Sequence, residues 1–200
     1  NWDSKEGAFE LVPKDKYLHR SWFIRKLCYE PLISVEKEEL YLTITPLFSG
    51  ELGRDLEDNS DDPPQLYTNT RGVLVRGHLG KKFSFQTSVY ENQATLPNYL
   101  NDYVQSSGVV PGQGRVKQFK ENGVDYNSVD AYISYSPINN INLQIGNGKH
   151  FIGNGYRSLL LSDGSYNYPY FKVATQFGKK DQFMFVKLNS ALSNLCLLYT

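Results

Sequence analysis

The chain has 200 residues, enough for one domain or for a piece of a larger one, and its 21 basic residues balance its 21 acidic residues. A neutral chain without a basic stripe lacks the electrostatic footprint of a nucleic-acid-binding protein, so we expect no nucleic-acid partner. Its two cysteines, Cys28 and Cys196, are far apart and outside any CxxC motif, which argues against a disulfide framework and against a zinc site.

The N-terminal segment, residues 1–39, is predicted to carry a short amphipathic helix over about Lys16–Glu30. Asp15 is a candidate N-cap, and Pro31 ends the helical pattern. Such a helix either packs on a core or covers one mouth of a barrel. The apolar residues that fall at helical spacing are Trp22, Phe23 and Leu27, with Leu18 as a further candidate.

Residues 40–200 are predicted to form antiparallel strands joined by short turns and long loops. The first strand is Leu40–Phe48, in which aliphatic residues alternate with Tyr and Thr. An exposed acidic loop, Gly50–Gln65, follows it. The carboxylates of this loop lack the order of an EF-hand, so we interpret the loop as solvated rather than as a calcium site.

The segment Arg71–Glu91 is the clearest hairpin, with a tight turn at Gly80–Lys81. Apolar residues occupy every second position of both arms and are therefore predicted to share one face. The opposite face carries Arg76, His78 and Gln86, which suits an aqueous lumen or solvent. The residues of the apolar side are Val73, Val75, Gly77, Leu79, Phe83, Phe85, Thr87 and Val89.

A long insertion, Asn92–Val124, follows this hairpin, and its Leu96–Val104 part is predicted to form one or two helical turns. Two further hairpins come next: one turns at Pro137–Asn140 and the other, Tyr170–Leu188, turns at Gly178–Lys179. Short turns thus alternate with long loops. This layout is typical of outer-membrane barrels and differs from the more even loops of a β-sandwich.

These strands predict an all-β fold, an antiparallel up-and-down transmembrane β-barrel with a short N-terminal helical element. No stretch approaches the roughly 20 apolar residues of a membrane-spanning helix, whereas barrel strands need only about 9–11 residues. About eight strands are recognisable, which is the lower limit for a bacterial barrel. The alternation is lost after Leu188, so we interpret the chain either as a small barrel or as the N-terminal portion of a larger one.

The sequence lacks motifs for catalysis or cofactor binding, so we predict no enzyme and no cofactor. The GNGK sequence at Gly146–Lys149 does not have P-loop spacing, the histidines share no metal-ligand spacing, and no GxSxG motif occurs. A glycan-active enzyme with paired carboxylates remains the least favoured alternative. Its candidate residues, chosen by loop position alone, are Glu91, Asp102, Asp125 and Asp163.

The Tyr- and Asn-rich loops, above all Gly146–Tyr170, suit carbohydrate binding. Aromatic rings stack on the apolar patches of sugars, while amide and carboxylate groups bind sugar hydroxyls. The same residues would also serve to pack the loops or to form an aromatic girdle at a membrane interface. The candidate ligand-binding residues are Tyr99, Tyr103, Asn154, Tyr156, Arg157, Asp163, Asn167 and Tyr168.

Several segments carry a family resemblance, and they are HRSWFIRKLCYEPLI (His19–Ile33), NTRGVLVRGHLG (Asn69–Gly80), YENQATLPNYLNDYV (Tyr90–Val104), VPGQGRVKQFKENGVDYNS (Val110–Ser128) and NLQIGNGKHFIGNGYRSLLLSDGSYNYPYFK (Asn142–Lys172). They resemble a Bacteroidetes outer-membrane β-barrel family related to the capsule-assembly protein Wzi and the gliding-motility protein RemB. The resemblance covers about Ser21–Gln176, and FIGNGYRSLLLSD is its most specific part.

The resemblance implies a location in the bacterial outer membrane, with outer-membrane lipid and surface polysaccharide as partners. It also implies a lectin-like role in binding or organising capsular polysaccharide, or a link to gliding motility and cell-surface assembly. It transfers no catalytic residue, and it leaves the polysaccharide and the oligomeric state open. The alternative that the residues themselves leave open is a soluble secreted β-sandwich that binds carbohydrate.

Overall fold

The computed structural model describes residues 18–19, 21–55, 65–119, 123–161, 164–178 and 183–192. The predicted N-cap Asp15 and the predicted ligand Asp163 lie outside these ranges. The elements are α1 (Trp22–Cys28), β1 (Ile33–Glu36), β2 (Leu40–Gly53), β3 (Leu66–Leu79), β4 (Phe83–Thr95), α2 (Asn98–Ser107), β5 (Val109–Val110), β6 (Gly114–Phe119), β7 (Gly123–Ile138), β8 (Ile141–Gly148), β9 (Tyr168–Phe177) and β10 (Phe183–Ser190).

Helix α1 is shorter than the predicted Lys16–Glu30 helix, because Leu18 and His19 form a turn and the helix begins only after Ser21. Its end is held by Glu30, whose carboxylate pairs with Arg25 at 2.8 Å. Trp22 and Phe23 were expected on the apolar side of this helix. Each is 66% exposed, so neither packs on a core of described residues. No helix in the described part of the chain is long and apolar enough to cross a membrane.

The strands form one ten-stranded antiparallel sheet in which neighbours along the chain pair up and down, as predicted. Its continuous path is β1-β2-β3-β4-β7-β8-β9-β10, and β6 pairs alongside β7. Strands β1 and β10 are the two edges, so the described strands form an open sheet rather than a closed barrel. Strand β1 has four residues and was not predicted, because so short a segment shows no readable alternation.

Several predicted boundaries are wrong because the ladder of paired residues continues past them. Strand β2 stays paired with β3 as far as Gly53, so the loop predicted to start at Gly50 starts four residues later, at Arg54. Strand β4 continues to Thr95, which shortens the predicted insertion. Pro137 belongs to β7, beside an irregularity in the β7–β8 register, and the turn itself consists of Asn139 and Asn140.

Short connections lie at one end of the sheet and long connections at the other, which confirms the predicted layout. Residues 37–39, 80–82 and 139–140 make the short connections. The long connections are residues 54–65, 96–122 and 149–167. The second of these contains α2, which is longer than the one or two turns predicted, and the β5–β6 hairpin.

The two faces of the sheet differ sharply in polarity. On the apolar face, Val73 lies opposite Val89, and Ile133 lies between Phe85 and Ile145. The opposite side is the polar face. Its rows of register partners include Ser84, Ser134, Gln144 and Lys172, and also Gln86, Tyr132, Gly146 and Tyr170.

Burial is inverted relative to the sheet of a soluble protein. On the apolar face, Ile133 and Ile145 are 55% and 61% exposed. On the polar face, Ser88 is 4% exposed and Ser134 is 8% exposed. Soluble monomers rarely leave so continuous an apolar surface uncovered, and in them buried positions are mostly apolar.

The hydrophobic core lies at the long-loop end rather than in the middle of the sheet. Ala94, Val104, Val110 and Val124 form it, joining α2 and β5 to the ends of β4 and β7. This cluster fixes the second long connection onto the sheet. The second long connection is therefore packed against the long-loop end of the sheet, and it positions the site described next.

Candidate functional site

The β5–β6 turn and the β8–β9 loop meet at the long-loop end of the sheet. Gly112 and Gly114 have positive φ angles of 71° and 117°, which favour glycine. A Cβ on Gly114 would lie 2.6 Å from the ring of Tyr166, so only glycine lets this ring approach the turn so closely. The Lys149 ammonium, from the loop, donates a hydrogen bond to the Gly112 carbonyl.

A pocket of about 290 Å³ lies at this junction, and we call it the loop-junction pocket. It offers an ammonium, a carboxylate, two amides, a hydroxyl and an aromatic ring, a set that can bind sugar hydroxyls and stack on a sugar face. Its volume is at the lower end of known ligand pockets, which span about 300–1,000 Å³. The lining residues are Gly112, Gln113, Ser128, Asp130, Lys149, Tyr166 and Asn167.

Asn167, at the C-terminal end of the β8–β9 loop, hydrogen-bonds to β7. Its amide nitrogen donates to the Val129 carbonyl at 2.8 Å and to Asp130 Oδ1 at 3.1 Å. Asn147, in β8 just before the loop begins, donates to the same Val129 carbonyl at 2.9 Å. Both ends of the loop are therefore anchored on one strand, which holds Asp130 in place at the pocket.

A second cavity, of about 500 Å³, follows the polar face of β7–β10, and we call it the strand trough. Its described lining is rich in hydroxyl and amide groups, including Ser134, Asn142 and Gln144. Apolar atoms of Met184 and Val186 form the β10 wall. The trough therefore combines a polar floor with one apolar side.

The first residues of the β8–β9 loop fold over one end of the strand trough. The His150 backbone N–H donates to the Tyr168 hydroxyl at 3.1 Å, and its ring contacts Tyr170 edge-on with centroids 4.3 Å apart. Ile152 lines the trough beside it. Burial, together with the positive charge of Lys172, lowers the pKa of His150 from its ordinary value, so the neutral ring is the form that fits this site.

The predicted ligand residues occupy several places rather than one pocket. Tyr99 and Tyr103 lie on α2, where Tyr99 is largely exposed. Tyr156 is 93% exposed at the tip of the β8–β9 loop, and the Arg157 guanidinium lies 5.8 Å from the centre of its ring. Asn154 is exposed in the same loop.

Two predicted residues near the end of that loop have structural contacts. Asn167 lines the loop-junction pocket, as described above. Tyr168 is 3% exposed and contacts His150, so its ring presents no free face for stacking on a sugar.

Sequence reasoning missed most of the loop-junction pocket. In the sequence, Lys149 stands out only as the last residue of a phosphate-like GNGK motif, and Asp130 is one of many polar residues on alternating strands. Gln113 lies 36 residues before Lys149, and only the docking of the β5–β6 turn brings them together. No local sequence pattern predicts such a contact. The described residues contain no group of three or more His, Cys, Asp or Glu side chains able to hold a metal ion.

In comparisons with protein families, curated proteins and solved structures, the chain matched none.

Proposed function

We propose that the chain forms all or part of an outer-membrane β-barrel that binds or organises surface or capsular polysaccharide. The observation that carries the proposal is the inverted burial of the sheet, with apolar side chains outward and polar side chains sheltered. In a barrel, the first set faces lipid and the second lines the lumen. The family resemblance supports the same interpretation and adds a link to gliding motility or cell-surface assembly.

Strand dimensions support a membrane location. Strand β9 has 10 residues, which at about 3.3 Å per residue and a tilt of about 40° span roughly 25 Å, the height of a lipid-facing band. Beyond the band, at the long-loop end, the same face carries the polar residues Arg71, Glu91 and Asn127. The apolar face is therefore limited in height, as a bilayer requires.

Aromatic pairs mark the other limit of the apolar band. Phe83 and Tyr135 stack with centroids 4.5 Å apart, and Phe177 and Phe183 stack at 5.7 Å, all near the short turns. Barrels carry such aromatic girdles at the membrane interfaces. Since barrels have short periplasmic turns and long extracellular loops, we assign the loop-junction pocket to the extracellular side.

The long-loop end supports the polysaccharide part of the proposal. The loop-junction pocket presents groups that bind sugar hydroxyls, and the exposed rings of Tyr99 and Tyr156, in the long connections, offer stacking surfaces. The soluble sandwich would need a second sheet over the apolar face, and the described residues supply none.

Tyr156→Ala tests the binding part of the proposal. With the protein in liposomes, we expect its affinity for polysaccharide from the native cell surface to fall about 5- to 30-fold, because truncating an aromatic anchor costs about 1–2 kcal/mol. The melting temperature should stay the same, since the ring is 93% exposed. Leu159→Ala, in the same loop and similarly exposed, is the matched control. Unchanged binding by both Tyr156→Ala and Tyr99→Ala would contradict the proposal.

A further inference from the structure

The strand trough contains a row of polar side chains that no motif predicted. Ser84, Ser134, Gln144 and Lys172 are register partners on four neighbouring strands, β4, β7, β8 and β9. Neighbouring strands lie about 4.8 Å apart, so these side chains form a continuous line across the floor of the trough. A ligand lying along this line would meet hydroxyl and amide groups and, at the β9 end, an ammonium.

Lys172 is the charged side chain of this floor, and the described structure gives it no counter-ion. The ion pairs found among the described residues join Glu30 to Arg25 and to Lys26, at the end of α1, and neither involves a residue that lines the trough. The described lining of the trough includes no Asp or Glu. Lys172 is itself partly buried, and an unpaired, partly buried charge destabilises a fold.

Several neutral groups that line the trough together with Lys172 are held by hydrogen bonds. The Asn142 amide donates to Ser134 Oγ at 2.6 Å and to Ser136 Oγ at 3.0 Å, which orients both hydroxyls. At the end of the trough lies His150, whose ring faces Tyr168 and Tyr170. An anion entering the trough would therefore meet a positive charge and oriented hydrogen-bonding groups, with no described carboxylate to repel it.

We propose that the strand trough binds an acidic saccharide, with the sugar carboxylate paired to Lys172. The hydroxyl and amide line from Ser84 to Gln144 binds the sugar hydroxyls, and the β10 wall of Met184 and Val186 contacts the apolar side of the ring. The saccharide class rests on the proposed function. The site is separate from the loop-junction pocket and adds a preference for acidic over neutral sugars.

The test measures binding of short galacturonate and glucuronate oligomers and of their methyl esters, which keep the rings and lose the charge. Isothermal titration calorimetry on the full chain in detergent micelles should show at least about tenfold tighter binding of the acids, since a charge-assisted hydrogen bond is worth about 1.5 kcal/mol or more. Lys172→Met should abolish this preference, and Lys172→Arg should keep it. Lys187→Met, on the neighbouring strand with its side chain on the apolar face, is the matched control.

A second readout is independent of the ligand. Without saccharide, Lys172→Met should melt at a temperature equal to or higher than that of the native protein, because it removes an uncompensated charge and keeps the aliphatic stem. A large drop in melting temperature would mean that Lys172 serves the fold, and it would overturn the proposal.

The remaining outcomes are also decisive. Equal affinity for acids and esters, or a preference that survives in Lys172→Met, would overturn the trough site. Binding of neither probe would also overturn it. The proposed function is judged separately, by the binding of native polysaccharide and its dependence on Tyr156, so failure of one is distinguishable from failure of the other.

Discussion

Replacing Ile133 by Arg is expected to lower the free energy of unfolding of the membrane-inserted protein by about 2–4 kcal/mol. Ile133 lies in the middle of the apolar face, between Phe85 on β4 and Ile145 on β8. In a bilayer, an Arg at that height would place its charge among lipid tails. The measurement is equilibrium unfolding in urea with the protein in liposomes.

The matched control for this variant is Asn127→Arg. Asn127 is on the same strand and the same face, but it lies beyond the apolar band, opposite Glu91. A charge there should change stability by less than about 1 kcal/mol, because the penalty falls to near zero at the membrane interface. A soluble protein with an exposed Ile133 would tolerate both substitutions within about 0.5 kcal/mol, and that result would count against the lipid-facing assignment.

Gly146→Ala is expected to destabilise the sheet by about 1–3 kcal/mol, although it adds a single methyl group. Gly146 lies on the polar face of β8, opposite Tyr132 and Tyr170. An added Cβ would collide with the Ala131 carbonyl and would lie 2.8 Å from Tyr132 Cβ and 2.9 Å from the Tyr170 hydroxyl. Because backbone is among these neighbours, the β7–β8 pair would have to separate slightly.

Gly50→Ala is the control for this prediction, since a Cβ at Gly50 would have no neighbour within 4 Å. There we expect a neutral effect or a gain of up to about 1 kcal/mol, as Ala restricts the unfolded chain more than Gly does. Thermal melting of the two variants side by side is the measurement. Equal melting temperatures would show that the approach of Tyr132 and Tyr170 to Gly146 is not tight.

Strand pairing was the part of the fold most predictable from sequence. The period-two alternation around Val73 and Phe83 fixed both the hairpin and its faces, and the structure pairs Val73 with Val89 and Leu79 with Phe83. The ends of strands were less predictable. Residues Gly50–Gly53 have a turn-like composition, yet they remain paired because the partner strand β3 already begins at Leu66.

The candidate sites were much less predictable. The loop-junction pocket joins Gly112 to Lys149 through packing of the β5–β6 turn, and the GNGK sequence that contains Lys149 does not indicate this contact. The importance of Lys172 depends on what surrounds it, since the sequence shows only another lysine on an alternating strand. Conversely, the conspicuous Tyr168 is buried against His150. Composition pointed to the Tyr- and Asn-rich loops, and only the fold shows which side chains line a cavity.

The central claim is that the apolar face meets lipid and the polar face meets water. Neighbouring positions on β8 test it most directly, because Ile145 lies on the apolar face and Gln144 on the polar face. An environment-sensitive fluorophore on a single cysteine at each position, with the protein in liposomes, would report its surroundings. We expect blue-shifted emission at position 145 that is quenched by quenchers attached to lipid tails, and emission at position 144 that is not. Water-like emission at both positions, with no lipid quenching at position 145, would contradict the account.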